Sequence, residues 1–391
     1  MAAVPGNLFR RILFWMHLSA GVAAGLIIFV LSATGVLLTY ERQMVESAER
    51  GNRVEVAGRT PLPADVLAEK VRAAVPEGRD FELVFHADPA EPVRVPQGRG
   101  APLYFDPYTA EAIPDAAAGT RDVLHVIEEW HRWLTGSPRG HLASAVDIAN
   151  LLFVFIVASG LYLWWPANWR WRSVRDRVLF RRKYVNAKVR DYSWHQVFGL
   201  WALIPLFLIS LSGVVISYGW ASNLVYTAYG ELPPSRRPDP PVPEPSPAAV
   251  AAAVAAAATP ARASLEQLRQ VAAREIQDWQ TLAIASRIDG PTARLQAVLQ
   301  SSEFRAPRQA ITLSAVDASV VDIEPRPLSA SATQTPAGRA RTWFRFVHTG
   351  EVYGIVGQTI AGLASLAACF LVYTGLALAY RRLLRPLWRK S

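Results

Sequence analysis

Four stretches of this chain are apolar over the length needed to cross a bilayer core, about 18 residues or more. They run roughly from Leu13 to Tyr40, Leu142 to Trp165, Trp194 to Ala221 and Tyr353 to Tyr380. Each has a histidine at its start or a little before it. An ionisable side chain at the mouth of a membrane helix is costly and usually has a task. The first and third stretches share a pattern. His17 is followed by Gly35 and Tyr40, and His195 by Gly213 and Tyr218, at offsets of 18 and 23 in both cases. Ser32-x-x-Gly35 and Ser210-x-x-Gly213 fall at the same places. The second and fourth agree more loosely, with 29 positions from His131 to Gly160 and 27 from His348 to Gly375. Repeated offsets of this kind mark an internal duplication, and they predict two related halves that each bring histidines into a helical bundle.

The expected fold is a mainly α membrane protein with four transmembrane helices arranged as two helix–(α+β)–helix repeats. A short tail (1–12) leads to helix one (13–40), read as a retained anchor. It is too long for a signal-peptide core and no A-x-A cleavage site follows it. An outer segment (41–141), helix two (142–165), a basic loop (166–193) and helix three (194–221) come next. A second outer segment (222–342), helix four with its extension (343–380) and a tail (381–391) complete the chain. The net charge of +9 is concentrated before helix one, between helices two and three, and after helix four. The positive-inside rule places those three regions, and both termini, in the cytoplasm. The outer segments then face the periplasm of a Gram-negative inner membrane. Charge so placed suits anionic lipid heads rather than nucleic acid. Cys369 is the only cysteine, so neither an intrachain disulfide nor a thiolate metal cluster is available.

Each outer segment reads as one helix and about three strands. In the first these are Leu62–Val75, then Phe81–Phe85, Pro92–Val95 and Leu103–Phe105, the last entering a turn at Asp106-Pro107-Tyr108-Thr109. The second opens on a Pro- and Ala-rich linker over 233–263. It continues with Ser264–Ile276, which carries a capping box of Ser264 and Gln267. Strand-like runs come next, at Thr281–Ser286, Arg294–Gln300 and Ala310–Ser314.

Depth sorts the histidines into two couples. His17 and His195 lie at the cytoplasmic ends of helices one and three. His131 and His348 lie at or before the outer ends of helices two and four. A pseudo-two-fold axis along the membrane normal would set each couple face to face. Paired imidazoles from facing helices suit a haem iron, with glycines (Gly21, Gly25, Gly199, Gly136, Gly354, Gly357) admitting a flat ring. A single membrane histidine, or a glycine, serves as readily in plain helix contact. Zinc suits the set less, since it wants three or four close ligands. His86 reads as a surface residue of a strand, and His125 or His141 would replace His131 if the register differs. Arg132, Arg139 and Arg345 are candidates for haem propionates. Asp147, alone among apolar neighbours, would pair with an arginine or line a cavity. Most of the tryptophans read as interfacial anchors. No nucleotide-binding or esterase motif is present, so electrons would come from a membrane quinol or a cytoplasmic reductase.

The motifs H-L-S-A-G…S-A-T-G, H-R-W-L-T-G, W-H-Q-V-F-G and H-T-G-E-V-Y-G resemble the PepSY-associated transmembrane family. The outer α+β units, with L-Y-F-D-P-Y-T-A-E at 103–111, resemble PepSY domains. Within the family the likeness is to inner-membrane ferric-siderophore reductases. It implies two b-type haems held by His17, His131, His195 and His348, and reduction of Fe(III) to Fe(II) in a periplasmic ferric siderophore. Two other classes compete: a membrane-anchored PepSY binding or regulatory protein, and a permease for iron or siderophore.

Overall fold

The structure is a computed structural model. It describes residues 6–384 apart from 57, 76–79, 99, 135–137, 139, 167–168, 235–261, 302–305 and 328–333. Most of the linker expected over 233–263 lies outside these residues, as do Gly136 and Arg139.

In chain order the helices are α1 (Gly6–Leu38), α2 (Glu41–Glu49), α3 (Ala64–Arg72), α4 (Ala118–Trp133), α5 (His141–Trp164), α6 (Trp171–Val178), α7 (Ala187–Trp201), α8 (Leu203–Ser217), α9 (Gly219–Ala228), α10 (Leu265–Glu275), α11 (Pro336–Thr349) and α12 (Gly354–Leu383). The strands are β1 (Glu82–His86), β2 (Val93–Gln97), β3 (Gly100–Phe105), β4 (Ala112–Ile113), β5 (Trp279–Ala285), β6 (Thr292–Leu299), β7 (Arg308–Ser314) and β8 (Val320–Ile323). Two compact units result, one from 1–42, 122–233 and 335–391, the other from 43–121 and 234–334.

The first unit is helical. Among the described residues, three helical stretches are long and apolar enough to cross a membrane: Leu8–Asn52, His141–Trp164 and Glu351–Leu383. A fourth is reached if α7 and α8 form one span, and these two meet at a bend of 68°. The third apolar run is therefore not the unbroken helix that its composition suggests. Pro205 offers no N–H to the Trp201 carbonyl and its ring crowds that group. The helix stops at Trp201 and restarts at Leu203, with Pro205 in the first turn of α8, where the missing donor is tolerated.

α1 packs on α5 and α12, α5 on α8, and α12 on α7. Small side chains fill these contacts, among them Ala24, Ala149, Ala364 and Ala368, as close helix approach in lipid requires. Leu26, Phe29, Ile204, Phe207, Val356 and Leu363 point outward and are exposed, a surface suited to acyl chains. α11 ends at Gly350, whose φ of 78° is left-handed. The backbones of Gly350 and Gly357 touch so closely that a Cβ on either would collide with the other's carbonyl oxygen. This turn sets His348, two residues earlier, against the bundle.

The second unit is one eight-stranded antiparallel sheet, ordered β4-β3-β2-β1-β5-β6-β7-β8. Each segment supplies a helix and a four-strand meander. The meanders join through β1 and β5, with Val84 opposite Ala283. Two separate small α+β domains were expected. Instead Leu67, Val71, Leu83, Leu268, Ile284, Leu295 and Ile311 share one core. The physical reason is that each meander alone would leave a strand edge of unpaired N–H and C=O groups, and β1 and β5 cover one another. The helices are tied just as reciprocally. Asp65 accepts from the N–H groups of Leu265 (2.8 Å) and Glu266 (3.1 Å), and Glu266 accepts from Ala64 N–H (3.0 Å). The capping box on α10 is present.

Candidate functional site

Four of the helix-borne histidines make one and the same local contact. The Nδ1 atom of His17 lies 2.9 Å from Ser159 Oγ, that of His131 2.9 Å from Thr34 Oγ1, that of His195 3.0 Å from Thr374 Oγ1 and that of His348 3.2 Å from Ser212 Oγ. Within each half of the sequence, the histidine of one helix meets the hydroxyl of the other. The spacing repeats too, since His17 to Thr34 and His195 to Ser212 are both 17 positions.

The direction of these bonds fixes the ring chemistry. Each hydroxyl donates its own proton back to a helix carbonyl: Ser159 to Ile156 (3.1 Å), Thr34 to Val30 (2.7 Å), Thr374 to Phe370 (2.7 Å) and Ser212 to Ile209 (2.8 Å). With that proton spent, the hydroxyl oxygen acts as an acceptor and Nδ1–H is the donor. His348 adds a second argument, because its Nδ1 is 2.9 Å from the Ile209 carbonyl, which can only accept. Corresponding carbonyls, of Ile156, Leu31 and Leu371, face the other three rings. A proton held on Nδ1 leaves the lone pair of Nε2 free, the state in which a neutral imidazole binds a metal.

Each hydroxyl residue precedes a glycine. A Cβ added at Gly160, Gly35 or Gly375 would stand 3.5, 3.6 or 3.4 Å from Cε1 of His17, His131 or His195. At Gly213 the space is taken by Asn150, which donates to the Ser210 carbonyl at 3.2 Å. Of the glycines proposed from sequence, Gly21 and Gly199 line a cavity. Gly25 packs on Leu376 in ordinary helix contact, and Gly357 meets Gly350 in the close turn after α11.

The rings come together in two couples. Those of His131 and His348 have centroids 6.1 Å apart with planes at 65°. At metal–imidazole bonds of about 2 Å, that separation would leave room for one metal held by His131 and His348. His17 and His195 line one cavity of about 970 Å³, together with Gly21, Gly160, Gly199, Gly375, Phe153 and Leu206, and Arg10, Arg381 and Arg382 also line it. That is the size of a large cofactor pocket. Flat glycine surfaces, apolar walls and a free Nε2 on each side fit a haem. No cluster of three or more His, Cys, Asp or Glu suited to a metal ion occurs among the described residues.

The remaining candidates lie elsewhere. His125 is mostly exposed beside Glu128 and Glu129, and His141 is exposed at the start of α5. His86 sits half-buried in β1 of the sheet unit, where burial and then Arg94 lower its pKa. Arg132 pairs with Glu128 at 2.8 Å and lies over the Trp133 ring, and Arg345 lies over Phe346. Asp147 is half-buried within electrostatic reach of Tyr218 and forms no ion pair among the described residues. Sequence reasoning passed over Thr34, Ser159, Ser212 and Thr374. A Ser/Thr-Gly dipeptide placed alike in both halves was the available signal.

A membrane protein with hydroxyl-supported histidine couples is the class these features define. The family model described as "PepSY-associated TM region" matches residues 14–382, and the chain belongs to that family. A search of the curated proteins finds no match to the chain.

Proposed function

We propose that this protein is a di-haem oxidoreductase of the bacterial inner membrane, with both termini cytoplasmic and the sheet unit in the periplasm. In this reading it reduces Fe(III) in a periplasmic ferric siderophore to Fe(II), as ferric-siderophore reductases such as ferrioxamine reductase do, drawing electrons from a quinol or a cytoplasmic reductase. The supporting observation is that four histidines, two per half, each have Nδ1–H spent on a hydroxyl and are grouped in facing couples. The four apolar runs are then four spans in two repeats, with the α7–α8 pair as one bent span. His17 and His195 would hold one haem, and His131 and His348 the other. Bound haem supplies one-electron transfer.

The chain's own contribution is geometric. Ser159, Thr374, Thr34 and Ser212 orient the rings and fix the tautomer. Glycines give the macrocycle close access, and the apolar walls keep water from the iron. The direct test adds a ferric chelate to the dithionite-reduced protein, freed of excess reductant, and traps Fe(II) with a chromogenic chelator. Reoxidation of the haem absorbance with matching Fe(II) release supports the reductase. A haem-loaded protein that releases none contradicts it. Activity of the outer segments in a colourless protein would favour a binding or regulatory role, and uptake of iron into proteoliposomes a permease.

A further inference from the structure

Asp191 is fully buried at the start of α7, yet no part of the histidine geometry uses it. It is held by two arginines, Arg190 at 2.9 Å and Arg381 at 2.5 Å. Two cations on one carboxylate leave a positive charge uncompensated. Arg381 is also a lining residue of the cavity that contains His17 and His195. Of the other cations there, Arg11 and Lys188 are exposed, and Arg10 and Arg382 are already committed. Arg10 donates to the Leu163 carbonyl at the end of α5 (2.8 Å), and Arg382 lies over the Phe14 and Trp15 rings. Trp164, in the same lining, has a buried indole N–H with no hydrogen-bond partner. A buried donor of this kind is normally paired. Gln196 Oε1, also unpaired, is an acceptor and offers nothing to an anion.

We infer that the Arg381 side of the cavity is a carboxylate-binding subsite, with Arg381 and the Trp164 N–H as donors. Asp191 is a positioning residue that holds the Arg381 guanidinium still. The inference rests on the haem reading and assigns the propionates of the inner haem to this side. A guanidinium presents a fixed fork of donors that matches a carboxylate, and an anchored one loses less freedom on binding. Phosphate of a lipid headgroup has related chemistry and is separated by the test.

The experiment is a spectroscopic redox titration of the purified, haem-loaded full chain. Arg381→Gln removes the cation that offsets a propionate, so the inner-haem midpoint potential falls by about 59 mV, a tenfold change in the one-electron equilibrium. Asp191→Asn keeps its haem and shifts the same potential alone. Arg182→Gln, which removes equal charge from an exposed side chain outside the cavity lining, shifts it by less than half as much. Protein reconstituted with haem dimethyl ester, which lacks free carboxylates, loses the Arg381→Gln effect altogether. Equal shifts from Arg182→Gln and Arg381→Gln, or a shift that survives the ester, overturn the subsite. So does unchanged potential with reduced copurification of phospholipid, which reassigns the mouth to a headgroup. A wild-type protein with no Soret band removes the haem reading itself, whereas an intact band with unmoved potentials removes only this inference.

Discussion

A histidine and the hydroxyl it donates to form the unit from which both couples are built. Replacing Thr374 by Val keeps the shape but removes the oxygen that accepts from His195. A buried donor left unpaired costs about 1–3 kcal/mol, and loss of such outer support weakens a metal site by about 10–100-fold. Haem titration of the apo-protein should show that loss for Thr374→Val and recovery for Thr374→Ser. The numbers of the residues show how much of this was legible. The offsets from His17 to Gly35 and from His195 to Gly213 were visible, and the structure explains them, because the glycine comes directly after the supporting hydroxyl. The serines at those places, Ser32 and Ser210, are not the partners. They lie two positions earlier, too far round the helix to meet the ring, and spacing alone does not say which residue faces inward.

At the level of elements, two kinds of contact decide stability. α3 and α10 cap each other through Asp65 and Glu266. Asp65→Ala should cost about 0.5–2 kcal/mol, the range for a lost helix cap, read as a lower midpoint for the sheet in denaturant followed by strand circular dichroism. The second contact joins Tyr104 of β3 to Glu49 at 3.0 Å, with Arg121 donating to the same hydroxyl at 2.9 Å. Burial first, and then the Glu49 charge, push the Tyr104 hydroxyl up to about 12. An unfolded tyrosine titrates near 10. The folded state therefore keeps a proton that the unfolded state gives up, and this contribution is complete below about pH 10 and lost as pH rises towards 12. Tyr104→Phe should flatten stability across that window. Three strands of each meander and the helices α3 and α10 were readable from alternation and caps, within a few residues at their ends, whereas the short outer strands β4 and β8 were not. The β1–β5 pairing was not, because its partners are almost 200 positions apart. The break at Ala202 had a sign in Pro205, which the continuous apolar composition masked.

Across the whole chain, two sequence halves supply matching parts: two histidines, two hydroxyl–glycine pairs and a meander for the shared sheet. Each couple joins one histidine from each half, so a half alone has no complete couple. On the haem reading each iron would be held by both halves, which fixes the stoichiometry. The most direct check is the haem content of the purified full chain, by pyridine haemochrome with oxidised and reduced spectra, for wild type and for His348→Ala. The account predicts two b-type haems per wild-type chain and one per His348→Ala chain, with the inner haem's spectrum unchanged. A colourless wild-type protein from haem-replete cells, or a variant that keeps both haems, would contradict it.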